Sequence, residues 1–305
     1  TMEYIRSRAP LRIGFAGGGT DVDPYCSEHG GLVFNTTINK YAYCTLVPKE
    51  SKDIIIDSYY FGRYRTKLKG SPLKLNGNMD LIKAVTNYFQ PENGFKLNIS
   101  SDVPSGSGLG GSSTMMVAMI AAVSNYVGKE MSPDEIAALA YELERNVIGL
   151  KGGKQDQYAA AYGGFNCMWF GRENTCIKHV DMDPDVVNEL QMRSVLCYTK
   201  ITRESANVIN SQVESTKKGT NIDALDRSKE LALDLYKALH AGDIENAGRI
   251  LDESWKYKKQ LSGDVSNKLI DKLYNGAMAA GAIGGKVSGA GGGGFMYFIT
   301  RFDKK

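Results

Sequence analysis

Cysteine pairs at disulfide or metal-binding spacing are missing from this 305-residue chain: Cys26, Cys44, Cys167, Cys176 and Cys197 are odd in number, widely spread and include no C-x-x-C. The pattern argues against a disulfide framework and fits reduced cytosolic thiols in apolar settings. Histidine is scarcer still. His29, His179 and His240 show no metal-ligand spacing among themselves or with the cysteines, so no zinc site is expected. Neither sign of charge is in excess. Thirty-seven Lys and Arg against 34 Asp and Glu leave a formal +3, too slight and dispersed for nucleic acid as main partner yet compatible with a small anionic substrate. The longest apolar run, 115–123, falls far below the ~20 residues of a spanning helix. The first residues, Thr1 to Arg6, carry neither an apolar signal core nor a cleavage-like small-residue site. A cytoplasmic protein without a membrane partner is expected.

Glycine, in contrast, is abundant, with 34 residues concentrated at 17–19, 106–111, 152–153, 163–164 and 284–294. The remaining composition, 42% hydrophobic and 23% charged, is that of an ordinary folded protein. At roughly 100–200 residues per domain, the length predicts two domains. Stretches rich in β-branched and aromatic residues predict strands over 8–16, 32–39, 41–48, 53–60, 63–68, 95–100 and 165–170. Helices are predicted over 79–89, 109–127, 133–148 and 154–162. The third opens on Ser132 as N-cap, Pro133 at the first helical position and Glu135 at the capping-box place. The acidic, turn-rich stretch 181–185, with Pro184, marks the expected boundary between domains over 1–180 and 181–305. Beyond it come a strand over 193–199, four helices between 204 and 280, and strands over 283–287 and 295–300; 207–221 reads as a solvated helix end and loop.

Pro104-Ser105-Gly106-Ser107-Gly108-Leu109-Gly110-Gly111-Ser112-Ser113-Thr114 lies between a predicted strand and a small-residue apolar helix. A glycine turn feeding a helix N-terminus leaves several backbone N–H groups unpaired, and the helix dipole adds positive potential, which suits phosphate. Gly106, Gly108 and Gly111 also satisfy G-x-G-x-x-G, but a dinucleotide fold needs a strand after the helix, and another amphipathic helix follows instead. No lysine follows a glycine pair in the register G-x-x-x-x-G-K-[ST], which excludes the P-loop NTPases.

Residues 104–114 resemble the second motif of the GHMP small-molecule kinases, P-x-x-x-G-L-G-S-S-A, with Gly111 where the first serine is usual. Arg8-Ala9-Pro10-Leu11-Arg12-Ile13-Gly14-Phe15-Ala16-Gly17-Gly18-Gly19-Thr20-Asp21 resembles their first motif, and Lys286-Val287-Ser288-Gly289-Ala290-Gly291-Gly292-Gly293-Gly294-Phe295 their third. Within the family, the wording around Gly17 to Asp21 is most similar to the D-glycero-D-manno-heptose 7-phosphate kinases, with the fucokinases nearby. The resemblance implies an α+β fold: an N-terminal ribosomal S5 domain 2-like nucleotide-binding domain, a C-terminal ferredoxin-like domain, and an active site between them.

The resemblance further implies that Pro104, Gly106, Gly108, Leu109, Gly110, Gly111, Ser112 and Ser113 hold ATP, and that Ser112 ligates Mg²⁺, with Ser113 an adjacent alternative. Gly152-Gly153-Lys154-Gln155-Asp156-Gln157 resembles the G-x-x-D-Q stretch of galactokinases, making Asp156 the base for the acceptor hydroxyl, and the same analogy puts the second metal ligand at Glu144. Helix geometry agrees. At ~100° per residue, Glu144 lies about 80° from the centre of the stripe Ile136, Leu139, Ala140, Leu143 and Val147, whereas Glu142 lies about 120° away on the other side. Arg12 is expected to stabilise charge on the transferred group. Asp21 is expected to accept sugar hydroxyls, with Gly18, Gly19 and Thr20 around it, and Gly291 to make backbone contacts in the third motif. Lys154 and Arg203 are the expected contacts of a substrate phosphate. The implied reaction is ATP-dependent phosphorylation of the anomeric hydroxyl of heptose 7-phosphate. The alternatives are an unphosphorylated sugar such as L-fucose, or a non-catalytic sensor on the same fold. No oligomeric state follows from the sequence.

Overall fold

A computed structural model of the chain describes residues 4–60, 62–202 and 204–304. Its framework is β1 (Ile5–Ala16) running antiparallel to β2 (Gly31–Pro48). The opposite edge of β2 is divided, residues 31–36 pairing with β6 (Phe165–Phe170) and residues 42–48 with β5 (Phe95–Ser101). Adding β3 (Asp53–Ser58), β4 (Gly62–Lys67) and β7 (Thr175–Val180) completes a seven-stranded sheet of order β4-β3-β5-β2-β6-β7, with β1 lying on β2. Two strands were expected over 32–39 and 41–48. A single strand runs through Lys40, because the irregularity is taken up locally: Pro10 pairs with Tyr41 but Arg12 pairs with Thr37, so Ile38, Asn39 and Lys40 bulge opposite Leu11. Proline lacks an N–H and is tolerated at such a break.

Period-two alternation along β1 sends Leu11, Ile13 and Phe15 to one face and Arg12 and Gly14 to the other. The first set joins a core with Phe34, Leu235, Leu239, Leu251, Tyr297 and Ile299, drawn from β2 and from the later elements α8 (Ile222–His240), α9 (Ile244–Lys258) and β10 (Phe295–Thr300). A separate core, with Leu46, Ile54, Phe95 and Leu97 of the sheet, packs against α2 (Asp80–Phe89), α3 (Gly111–Tyr126) and α4 (Pro133–Glu142) through Val85, Ile120 and Leu139. Strands β8 (Ser194–Tyr198) and β9 (Ala282–Val287) flank β10 in an antiparallel three-stranded sheet, and α7 (Ser205–Lys217) and α10 (Lys268–Ala280) complete this half. Among the described residues, no helix is long and apolar enough to cross a membrane.

Three elements were not anticipated: α1 (Tyr25–His29), β7 and α6 (Pro184–Arg193). The last replaces the expected turn at 181–185. Asp183 accepts from the Asp185 N–H at 2.8 Å and Pro184 occupies the first turn, so the acid and the proline start a helix there. The stretch 207–221 is likewise more ordered than expected, since α7 covers most of it and buries Val208, Gln212 and Thr216.

Helix α9 crosses β9 glycine to glycine. A Cβ on Gly284 would sit 1.9 Å from the Gly248 carbonyl oxygen, so any side chain must separate helix from strand. Gly284→Ala is expected to destabilise the protein by about 3 kcal/mol, read as a lowered Tm in thermal unfolding. An unchanged midpoint would refute the close packing.

Candidate active site

The turn between β5 and α3 folds as its glycines require. Gly106, Gly108 and Gly110 all take positive φ, 75°, 76° and 76°, a region open to glycine at no steric cost. Gly110 is the N-cap of α3 and makes no side-chain cap bond, so the first-turn amides have no intrahelical partner. Gly111, Ser112 and Ser113 line a cleft of about 1050 Å³ together with Pro104, Gly106, Gly108 and Gly110. The third glycine segment supports this turn from behind. A Cβ on Gly108 would meet the Ser288 carbonyl at 2.5 Å, and the Phe295 N–H donates to the Ser107 carbonyl at 2.9 Å. Two glycine loops thus touch backbone to backbone.

Arg12 projects from β1 into the same cleft. Its Nε donates to Asp156 Oδ1 at 2.7 Å and its Nη1 to the Gly108 carbonyl at 2.7 Å. Asp156 lies in the first turn of α5 (Gln155–Tyr162). The guanidinium therefore links the glycine turn to the carboxylate through donors in a fixed planar fork. Asp21 approaches the start of α5 from the loop after β1, its carboxylate accepting from the Lys154 N–H at 2.9 Å, the Gln155 N–H at 3.1 Å and the Gly19 N–H at 3.1 Å. Burial raises the Asp21 pKa, and the like charge of Asp156 adds to this against the backbone donors.

Glu144 is fully buried on a π turn, Leu143–Val147, that follows α4. The helix expected to run to Ile148 changes winding here, with the Ile148 N–H reaching back five residues to the Leu143 carbonyl at 2.9 Å. Such turns recur at functional sites. Glu144 Oε1 accepts from Ser112 Oγ at 3.1 Å, and Oε2 from Gln157 Nε2 at 2.5 Å, the same amide reaching Ser113 Oγ at 3.1 Å. Burial pushes the Glu144 pKa up, opposed first by Arg145. Glu142 is exposed and bonds Asn146. Gln157 Oε1 is buried without a partner, so the cluster offers a carboxylate, hydroxyls and a vacant amide oxygen, an all-oxygen set suited to Mg²⁺. Among the described residues, no group of three His, Cys, Asp or Glu could hold a metal.

Arg12, Gly18, Gly19, Asp21, Glu144 and Asp156 share the cleft with the glycine turn. Four expected site residues do not line it. Thr20 is buried with its hydroxyl bonded to the Gly17 and Leu32 carbonyls, where it braces the loop. Leu109 joins the hydrophobic core and offers the cleft nothing beyond its carbonyl on the Arg12 N–H, at 3.1 Å. The Lys154 ammonium turns away to the Gly171 carbonyl at 3.3 Å and the Tyr141 ring, and only its N–H serves the site, through Asp21. Gly291 abuts Val265. Arg203 lies outside the described residues.

Several lining residues were missed. Gln155 contacts Asp21 and Asn35, Gln212 donates to the Gly19 carbonyl at 3.0 Å, and Lys258 reaches the cleft from the end of α9. The last two left a trace in the sequence, each continuing the buried stripe of an amphipathic helix: Val208, Gln212 and Thr216 on α7, and Ala247, Leu251, Trp255 and Lys258 on α9.

The N-terminal domain of the GHMP kinases matches residues 79–164, and the C-terminal domain of the same kinases matches 235–305. A D-glycero-alpha-D-manno-heptose 7-phosphate kinase of Campylobacter jejuni is 39% identical over 315 residues, which cover 100% of this chain and 91% of that protein. The crystal structure of a D-glycero-D-manno-heptose 1-phosphate kinase of Bacteroides thetaiotaomicron superposes with a TM-score of 0.81 at 38% identity, covering 97% of this chain and 88% of that one. An L-fucokinase/L-fucose-1-P guanylyltransferase of Bacteroides fragilis is 27% identical over 98% of this chain but only 35% of its own length. A glycine turn at a helix N-terminus, an Arg–Asp pair beside it, and likeness along the whole length to such a kinase lead to one conclusion: the chain belongs to the GHMP kinases, which are ATP-dependent phosphotransferases.

Proposed function

We propose that this chain transfers the γ-phosphoryl group of ATP to the anomeric hydroxyl of D-glycero-D-manno-heptose 7-phosphate, giving the 1,7-bisphosphate for nucleotide-activated heptose synthesis. The observation that carries the reading is the Arg12–Asp156 pair, 2.7 Å apart and facing the α3 N-terminus in one cleft, in a chain similar throughout its length to a heptose 7-phosphate kinase. Asp156 takes the proton of the anomeric hydroxyl as that oxygen bonds to the γ-phosphorus and the bond to the bridging oxygen of ADP breaks. Arg12 orients this carboxylate and meets negative charge on the moving group. The open amides of residues 111–113 receive the triphosphate. Ser112 and Glu144 would hold Mg²⁺, which would neutralise phosphate charge when bound. Met79, Leu81, Ile99, Met115 and Ile148 line an apolar part of the cleft suited to the adenine ring. Asp21 and the glycines before it present the sugar subsite. In this reading residues 1–180 carry the nucleotide and residues 181–305 close the cleft.

An ADP-release assay over free and phosphorylated sugars tests the substrate. Heptose 7-phosphate is expected to exceed free heptose and L-fucose in kcat/KM by at least roughly tenfold, because charge-assisted bonds to a phosphate supply binding energy that a free sugar lacks. L-Fucose as best substrate would overturn the heptose reading and leave the kinase standing.

A further inference from the structure

Lys258 is a buried lysine in the cleft that the transfer described above leaves without a role. It is 5% exposed at the end of α9. Its ammonium donates to the Gly289 carbonyl and, at 3.5 Å, to the Val287 carbonyl. Among the described residues no carboxylate forms an ion pair with it. The charged groups that face it are Arg12 from β1, Asp156 from α5, Asp21 from the loop after β1 and Lys286 from β9. Asp156 is engaged by Arg12, and Asp21 by three backbone N–H groups. Lys286 is buried too, its ammonium on the Phe15 carbonyl at 3.2 Å. Burial, with Lys258 and Arg12 beside it, pushes the Lys286 pKa well down, so Lys258 and Arg12 are the groups left to carry positive charge here. A buried charge lacking a counter-ion is costly, and burial, reinforced by Arg12, brings the Lys258 pKa down to about 7.

Its location says which anion would complete the set. Arg12 holds the Gly108 carbonyl and Lys258 holds that of Gly289, and these two glycines are in backbone contact. The two cations thus grip adjoining loops at the junction of the nucleotide turn with the Asp156 side of the cleft. We propose that Lys258 is a second anion-binding group at the point of phosphoryl transfer, meeting phosphate in its charged form. The inference rests on the kinase reading and adds to it the residue that meets phosphate from the C-terminal half.

A merely structural tether behaves differently, because a neutral amine can also donate to the two carbonyls and needs no proton on binding. The test is calorimetric titration of the whole protein with Mg²⁺, a non-hydrolysable ATP analogue and heptose 7-phosphate, in two buffers of different ionisation enthalpy near pH 7.5. With part of the free amine deprotonated there, wild type is expected to take up a measurable fraction of a proton per site more than K258M, a difference that cancels protons carried by the phosphates themselves. In turnover, wild-type kcat/KM is expected to fall as pH rises through about 7, and K258R, whose guanidinium stays charged, to lose that alkaline limb. Equal uptake in wild type and K258M overturns the proposal. If K258M does not fold, absence of the alkaline limb in wild type overturns it instead. Wild-type turnover measured alongside keeps the two readings apart: no turnover of heptose 7-phosphate with uptake lost in K258M sinks the substrate reading and supports Lys258, while turnover with equal uptake sinks Lys258 alone.

Discussion

Asp156→Asn is expected to lower kcat by roughly 1000-fold while leaving ATP affinity within about twofold of wild type. The amide oxygen can still accept from Arg12 Nε, now 2.7 Å from the carboxylate, so the turn of α5 and the position of Arg12 are retained. What is lost is the group able to take the acceptor's proton. Among the described residues, Asp156 reaches the glycine turn by hydrogen bonds only through Arg12, which is why nucleotide binding should be spared. Nucleotide affinity by calorimetry and turnover by ADP release separate the two effects. Near-wild-type turnover would remove Asp156 from the mechanism, and a large loss of ATP affinity would show that the pair supports the loop instead.

Glu144→Gln should raise the Mg²⁺ concentration needed for half-maximal rate and cut kcat/KM for the nucleotide by roughly 100-fold at limiting Mg²⁺. Glutamine keeps the shape and can still accept from Gln157, so the change is chiefly one of charge beside Ser112. Glu142→Gln provides the comparison, because Glu142 is exposed two residues away and bonds Asn146; it should behave as wild type. Equal sensitivity of the two variants to Mg²⁺, followed in a titration at saturating sugar, would dismiss Glu144 as a ligand.

The contrast between those two glutamates was legible before any coordinates. A uniform helix already places Glu144 beside the apolar stripe and Glu142 away from it, and the capping box at its start is present as expected, with the Glu135 N–H on Ser132 Oγ at 3.3 Å and the Ser132 N–H on Glu135 Oε2 at 2.7 Å. The complete burial of Glu144 was not legible, since the π turn that carries it has no signature in local propensity. Thr20 shows the reverse failure. Its place in a glycine-rich motif suggests a ligand, but the loop folds so that its hydroxyl serves Gly17 and Leu32.

Local sequence determined what depends on neighbours along the chain: period-two strands such as β1, the helix start marked by Ser132, and a glycine turn with free amides at the head of α3. These signals act over a few residues, within one turn or one pleat, so a single segment contains all the information they need. Tertiary structure alone decided which distant side chains meet. Arg12 reaches Asp156 across 144 positions, Asp21 caps α5 from 133 positions away, and Lys258 enters the cleft because Gly248 and Gly284 let α9 lie directly on β9. Such encounters are set by how helices close on sheets through a shared core, a many-body packing result that no segment encodes by itself.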